Sequence, residues 1–245
     1  MRLAVISDIH ANLPALEAVL ADIAVRSADA IVNLGDCVAG PLWPAETWAL
    51  LTARGIPTVR GNHDRYLRSR PAERLPAADQ FALGALNAAQ TQALFDLPLT
   101  IDLGDGVLAV HGTPTDDATY LTEEILSGRM APATRETVTK RLGTAMNQAV
   151  VLCGHSHRQS VTQVLDGPLI LNPGTVGCPV FADQSTAGEL EFRSPHARYA
   201  ILTRRGARWG VELFALDYDW DHAASKAREN GFPRWGEALS GGAVR

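Results

Sequence analysis

Lysine is nearly missing from this chain. Lys140 and Lys226 are the only two, and arginine supplies the rest of 22 cationic side chains set against 27 Asp and Glu residues. The net charge of −5 leaves no basic surface of the kind that binds nucleic acid stably. We read the lysine shortage as a genomic bias of composition. Cysteine is scarce too. Cys37, Cys153 and Cys178 form no disulfide framework and no Cys-x-x-Cys pair. They fit a reducing cytoplasm, where buried thiols pack as small apolar groups. Long apolar runs are lacking: none approaches the ~20 residues of a membrane span. The opening MRLAVISDIH carries too short a run for a signal peptide. These shortages point to a cytoplasmic protein with no membrane partner and no stable nucleic-acid partner. At 46% hydrophobic and 20% charged residues, the 245-residue chain can still bury a sizeable core. No repeat or low-complexity linker divides it, so residues 1–245 are expected to form one domain. Nothing in the sequence specifies an oligomeric state.

Apolar patterning places the elements. Residues 2–7 read as a buried strand. Leu16, Val19, Leu20 and Ile23 then make a helical stripe, with Pro14 suited to the first turn. Strands follow at 30–34 and 56–60, with a helix at 45–53 between them, a βαβαβ start. Residues 79–95 read as one helix. LTIDL (99–103) and GVLAVHG (106–112) suggest a hairpin around Gly104-Asp105-Gly106. A helix is expected over 132–145 with Pro132 near its start. Strands are expected at 149–153, 160–165, 169–172, 198–203 and 208–216, and a last helix at 220–230. The result is an α/β protein of two stacked sheets flanked by helices.

Five of the strand-like runs end in polar clusters. VISDIH ends in Asp8 and His10, VNLGDC in Asp36, and VRGNHD in Asn62, His63 and Asp64. LAVHG ends in His111, and VVLCGHSH in His155 and His157. The strand C-terminal ends of α/β proteins form the usual ligand crevice. Carboxylates with imidazoles suit divalent metals such as Mn, Fe, Co, Ni or Zn, and an Asn amide oxygen can complete a mixed shell. Asp8/His10 and His155/His157 would project to one side if their segments stay extended. Cys37 would then point away and is not counted as a ligand.

The ordered set Asp8-Ile9-His10, Gly35-Asp36, Gly61-Asn62-His63-Asp64, His111 and Gly154-His155-Ser156-His157 resembles the calcineurin-like metallophosphoesterase superfamily. The likeness narrows to its small bacterial and archaeal phosphodiesterases, including diadenosine-tetraphosphatase-like members. SDIHANLPALEAVL, HGTP, NPGTVG and the tail YDWDHAASKARENGFPRWGEAL support it. The resemblance implies a four-layer αββα sandwich of two mixed sheets flanked by helices. It also implies two divalent metal ions, manganese first among Mn, Fe, Zn, Ni and Co. One would be held by Asp8, His10, Asp36 and His157, and the other by Asp36, Asn62, His111 and His155. The implied activity is hydrolysis of small or nucleotide phosphodiesters by attack of a metal-bridging hydroxide, with His63 contacting the phosphate or protonating the leaving group. The Ser/Thr phosphatase branch carries Gly-Asp-x-x-Asp-Arg. Here GDCVAG puts Ala39 and Gly40 in the last two places, which argues against a protein phosphatase and removes the carboxylate that orients the catalytic His there. Asp64 is one replacement to consider.

Other residues have plainer readings beside their functional ones. Arg60, Arg65 and Arg158 flank the motifs and could bind substrate phosphate, or stand in solvent. Asn12 could touch substrate, or cap a helix. NPGTVG could line the site or make a turn. Asp116-Asp117 reads as a solvated loop or cap, and the five tryptophans as packing. Two other functions share the pattern: a non-catalytic metal-binding interaction scaffold of the same fold, and a dinucleoside polyphosphate hydrolase.

Overall fold

Alternation sets how the first strand must sit. In β1 (Arg2–Ile6), Leu3 and Val5 share one face, Ala4 and Ile6 the other, and all four are buried. Such a strand needs a cover on both sides. The computed structural model, which describes residues 1–182, 189–191 and 194–241, provides both.

The chain runs as follows. α1 (Leu13–Val25) starts at Asn12, whose side chain accepts a bond from the Ala15 N–H, and it packs its stripe on Ala4 and Ile6. β2 (Ala30–Asn33) lies parallel to β1, and α2 (Pro44–Ala53) follows. The strand expected at 56–60 shrinks to one bridge between Asn33 and Thr58. Pro57 has no N–H to donate, and the chain turns at Gly61 into α3 (Asn62–Ser69), a helix the patterning did not show. The helix expected over 79–95 is two, α4 (Ala77–Ala85) and α5 (Ala88–Phe95). Asn87 restarts it with a reciprocal capping box to Gln90, both bonds 2.9 Å.

β3 (Thr100–Asp102) and β4 (Val107–Val110) form the expected hairpin. β5 (Glu123–Leu126) and β6 (Arg129–Pro132) form a second one that was not anticipated. Pro132 therefore ends a strand instead of opening a helix, and α6 (Arg135–Leu142) begins later, capped by Thr134. Next come β7 (Val150–Leu152), β8 (Ser160–Gln163), β9 (Leu169–Asn172), β10 (Val180–Ala182) and β11 (Glu189–Glu191). β12 (Ala197–Arg205), β13 (Arg208–Leu216) and α7 (Trp220–Glu229) follow. α8 (Pro233–Gly241) was not expected. Pro233 sits at its first position, where a missing N–H costs nothing.

Two mixed sheets result, ordered β13-β12-β1-β2 and β3-β4-β7-β9-β8. Three apolar clusters show how they stack. Leu3, Val5, Val32, Ala200 and Leu202 meet Val107, Ala109, Val150, Leu152 and Leu171 between the sheets. Ala4, Ile6, Tyr199 and Ile201 face α1 and α7 on the outside of the first sheet. Val110, Val151 and Ile170 face Val138 and Leu142 of α6 on the outside of the second. Three interfaces make four layers, the expected αββα sandwich. Truncating a mid-layer residue such as Leu152 to Ala should cost about 2–5 kcal/mol. Among the described residues no helix is long and apolar enough to cross a membrane.

Candidate metal centre

Parallel pairing of β1 with β2, and of β4 with β7, brings the polar loops after these strands to the same edge of the sandwich. There the backbone leaves extended geometry. Asp8, His10, Asp36, His155 and His157 have φ of +54°, +50°, +54°, +65° and +58°. Left-handed turns, not the alternation of an extended strand, therefore aim these side chains. Such conformations cost about 1–3 kcal/mol each and persist only where neighbours enforce them. The enforcement is visible. The N–H groups of Ile9 and His10 both donate to Asp36 O at 3.0 Å. The His155 N–H donates to Asp8 Oδ2 at 3.1 Å. A Cβ on Gly61 would strike the Asp36 carboxylate, so that position has to be glycine. NPGTVG is a buttress: Asn172 donates to Gly154 O and Ser156 Oγ, and Val176 and Gly177 N–H groups bond Ser7 O and Asp8 O.

All seven predicted donors converge here. The ligand atoms of Asp8, His10 and Asp36 lie within 4.8 Å of one another, and so do those of Asp36, His111 and His155. Asp36 belongs to both groups. His157 joins the first through its Nε2, 3.2 Å from His10 Nε2 and 3.3 Å from Asp8 Oδ1. Asn62 joins the second, with Oδ1 3.1 Å from His111 Nε2. A further set couples His10 and His157 with Cys178, whose thiol donates to Val180 O. Cys37 is buried behind Asp36 and takes a bond from Asn33.

The hydrogen bonds around the rings show what these groups need. His10, His111 and His157 each donate Nδ1–H to a backbone carbonyl, of Ala39, Leu34 and Cys178, at 2.7, 2.7 and 2.9 Å. Carbonyls can only accept, so each Nε2 of a neutral ring presents a lone pair to the centre. There the lone pairs meet other acceptors: Nε2 against Nε2, and Nε2 against Asn62 Oδ1. Asp8 Oδ1 is buried with no well-aligned hydrogen bond. Acceptors gathered this way call for cations. Protons can serve: although burial disfavours charge, Asp36 and Asp8 hold His111 up at about 9, and Asp8 keeps His157 well above its usual value. Burial and cationic neighbours push His10 and His155 down to about 4. Burial opposes ionisation of Asp8, but the charges on His157 and His111 outweigh it and bring the carboxyl to about 2. A mixed N/O donor set of this kind also fits divalent metals of intermediate softness. His155 differs from the other rings. It donates Nε2–H to Ala118 O at 3.0 Å, stacks on Tyr120 at 4.5 Å between centroids, and offers Nδ1.

His63 stands beside the donors at the start of α3. Its N–H donates to Asp36 Oδ1 at 2.9 Å, and its Nδ1 bonds Asp79 Oδ2 at 2.8 Å. Burial alone would lower its pKa, but Asp79 and Asp36 raise it to about 9. Asp64 is committed elsewhere. Its carboxylate accepts from the N–H groups of Asp36, Cys37 and Gly61 at 2.9–3.0 Å and ties the two loops together. Burial and the nearby Asp36 charge raise it to about 7.

A cavity of about 510 Å³ opens above His10, Asp36, Asn62, His63, His155 and His157. Its far wall is Tyr66, Arg70, Phe232, Arg234 and Trp235, together with Pro76–Asp79. The Trp235 ring lies 6.5 Å from that of His10, so this tryptophan lines the cavity as well as packing. The candidates for substrate contact sit elsewhere. Arg65 forks onto Asp117 at 2.6–3.1 Å, and Arg60 Nε lies 3.5 Å from the same carboxylate. Asp117 is accordingly buried, not the solvated residue expected. Arg158 is exposed, and neither it nor Arg60 nor Arg65 lines the cavity. Asn12 is also buried, its amide spent on Gly177 O and Tyr218 Oη while its oxygen caps α1. The arginines at the cavity, Arg70 and Arg234, have no signature in the sequence, and neither does Asp79.

Known proteins are similar to this chain. A protein of Methanocaldococcus jannaschii, MJ0912, described only as uncharacterized, is 27% identical over 97% of this chain and 96% of its own. The crystal structure of a metallophosphoesterase from Sphaerobacter thermophilus matches 99% of this chain and 100% of its own at 29% identity, with a TM-score of 0.74. The hypothetical protein PH1004 of Pyrococcus horikoshii OT3 has the same fold, at a TM-score of 0.74 and 16% identity over 100% of this chain and 99% of its own. Residues 1–194, which hold every donor named above, match the calcineurin-like phosphoesterase superfamily domain. The chain belongs to that superfamily, whose members use divalent metals.

Proposed function

We propose that this protein is a dinuclear metal-dependent phosphodiesterase acting on small or nucleotide phosphodiesters. The observation that carries the reading is the pair of buried donor groups that share Asp36 beneath an open cavity with His63 at its edge. One cation would be held by Asp8, His10, Asp36 and His157, the other by Asp36, Asn62, His111 and His155. The resemblance puts manganese first, and Fe, Zn, Ni or Co also suit a mixed imidazole and carboxylate set. Bound ions supply charge neutralisation at the phosphoryl oxygens and lower the pKa of water.

The chain's own residues do the rest. His63 presents its imidazole to the cavity and gives a proton to the leaving oxygen. Tyr66, Phe232 and Trp235 offer apolar and aromatic surface to a substituent on phosphorus, and Arg70 and Arg234 add positive charge for further phosphate. Room for groups beyond the phosphoryl centre supports a diester. Gly40, in the place where protein phosphatases carry a phosphate-holding arginine, supports the same choice.

The test is hydrolysis of bis-p-nitrophenyl phosphate and of the p-nitrophenyl monoester by metal-stripped protein, with and without Mn²⁺. Metal-dependent turnover that prefers the diester, with two ions bound per chain, supports the reading. Preference for the monoester overturns the substrate class. Two tightly bound ions without turnover on either ester overturn catalysis and leave an interaction scaffold.

A further inference from the structure

We infer that Asp79 is a positioning residue for His63, holding the imidazole with Nδ1 protonated and Nε2 turned towards the leaving group. The inference rests on the role given to His63 above. In the Gly-Asp segment no carboxylate is available for this task. Ala39 occupies the usual place, and its carbonyl is taken by His10. Asp64 has its oxygens on three backbone N–H groups.

Asp79 comes from a different helix. It is the third residue of α4, where a carboxylate ordinarily reaches back to the N–H of the capping residue. Here the capping residue is Pro76, which has no N–H. Asp79 is thereby released from its own helix. Its side chain is 3% exposed, and it meets His63 Nδ1 at 2.8 Å. The first turn of α4 favours the negative charge. An ionised carboxylate can only accept, so Nδ1 must carry its hydrogen. In the step itself the oxygen of the attacking water bonds to phosphorus as the P–O bond to the leaving group breaks, the leaving oxygen takes the Nε2 proton, and the other proton stays on Nδ1, hydrogen-bonded to Asp79.

Two measurements test this. In metal-free, ¹⁵N-labelled protein, proton NMR should show a downfield, slowly exchanging Nδ1–H resonance that disappears in His63→Ala and in Asp79→Ala. Its persistence in Asp79→Ala overturns the inference. In the metal-loaded enzyme, Asp79→Ala should lower kcat about a hundredfold on diesters with alkyl or phenyl leaving groups. With p-nitrophenyl the loss should be only a few-fold, because that group leaves without a proton. KM and metal content should not change, and the double variant His63→Ala/Asp79→Ala should be no slower than His63→Ala. An equal loss on both leaving groups, with metal lost as well, assigns Asp79 a merely structural role and overturns the inference. Leaving-group dependence in His63→Ala that is missing from Asp79→Ala overturns it while sparing His63. Its absence from both variants overturns the His63 reading and this inference with it.

Discussion

The floor and the far wall of the cavity are built differently. The floor is made of loops at the ends of sheet strands. Its donors are almost all buried, and three imidazoles are pinned by backbone carbonyls that no side-chain substitution can remove. The wall is made of helices α3, α4 and α8 and residues flanking them, with half-exposed aromatic residues, a half-exposed Arg70 and an exposed Arg234. Phe232, Arg234 and Trp235 lie outside the span that matches the superfamily domain, residues 1–194. Under the proposed function, a floor held by backbone bonds would keep the chemistry constant, and a separately built wall would let substrate choice change without disturbing it. Floor substitutions should therefore act on metal content and kcat, and wall substitutions on KM, apart from Asp79, which acts through His63.

Asp36→Asn is the sharpest test of the floor, because both donor groups share this residue. Losing several kcal/mol of charge stabilisation should cut kcat about 10³-fold. Metal analysis should find less than one ion per chain, against the two expected in the parent. Full occupancy in the variant would mean that the groups do not depend on a shared carboxylate.

Chelation tests the floor without mutation. Metal at a thousandfold excess over Kd stabilises by about 4 kcal/mol. In a chain of this size that corresponds to a fall in Tm of roughly 10 °C when metal is withdrawn. Calorimetry with and without chelator should show it in the parent and in Trp235→Ala, but much less in Asp36→Asn. Trp235→Ala itself should raise KM for an aryl or nucleotide diester about tenfold, in line with losing an aromatic contact of 1–2 kcal/mol. Its kcat and metal content should stay the same. A fall in kcat with KM unchanged would place Trp235 with the floor.

The same division decides what could be read from the sequence. Each floor donor follows an apolar strand run, and the order of the clusters is itself a signature, so all seven were legible. Their aim was not, because it comes from left-handed turns at Asp8, His10, Asp36, His155 and His157, and periodicity carries no information on φ. The wall was barely legible. α3 is short and mostly polar, and α8 hides behind Gly231 and Pro233. The β5–β6 hairpin was masked by a proline that looked like a helix start. Asp79 was out of reach for a different reason. Its meaning depends on a helix break at Leu86–Asn87, on Pro76, and on a contact 16 residues away in sequence. Arg60 and Arg65 misled because sequence proximity to GNHD says nothing about Asp117, which claims both.

The smallest effect belongs to a carboxyl behind the floor. Glu123 on β5 is buried, and its Oε2 accepts a bond from Thr122 Oγ1 at 2.9 Å. Burial raises its pKa, and the bonds from Thr122 and Ser156 with the charges of Arg158 and Arg141 offset only part of that. A carboxyl whose folded pKa lies above its unfolded value of 4.5 holds more protons folded than unfolded between those two values. Stability from this group is therefore full below the unfolded value and is lost as pH rises through the folded one. Glu123→Gln cannot ionise and escapes that loss. In metal-free protein the Tm of the variant minus that of the parent should thus rise by a few degrees between pH 5 and pH 8. The same difference measured for Trp235→Ala should stay flat, since the wall residue adds no titrating group. A difference for Glu123→Gln that falls with pH would show that the ionised carboxylate is the stabilising form, and that the arginines near it, not burial, control the site behind the floor.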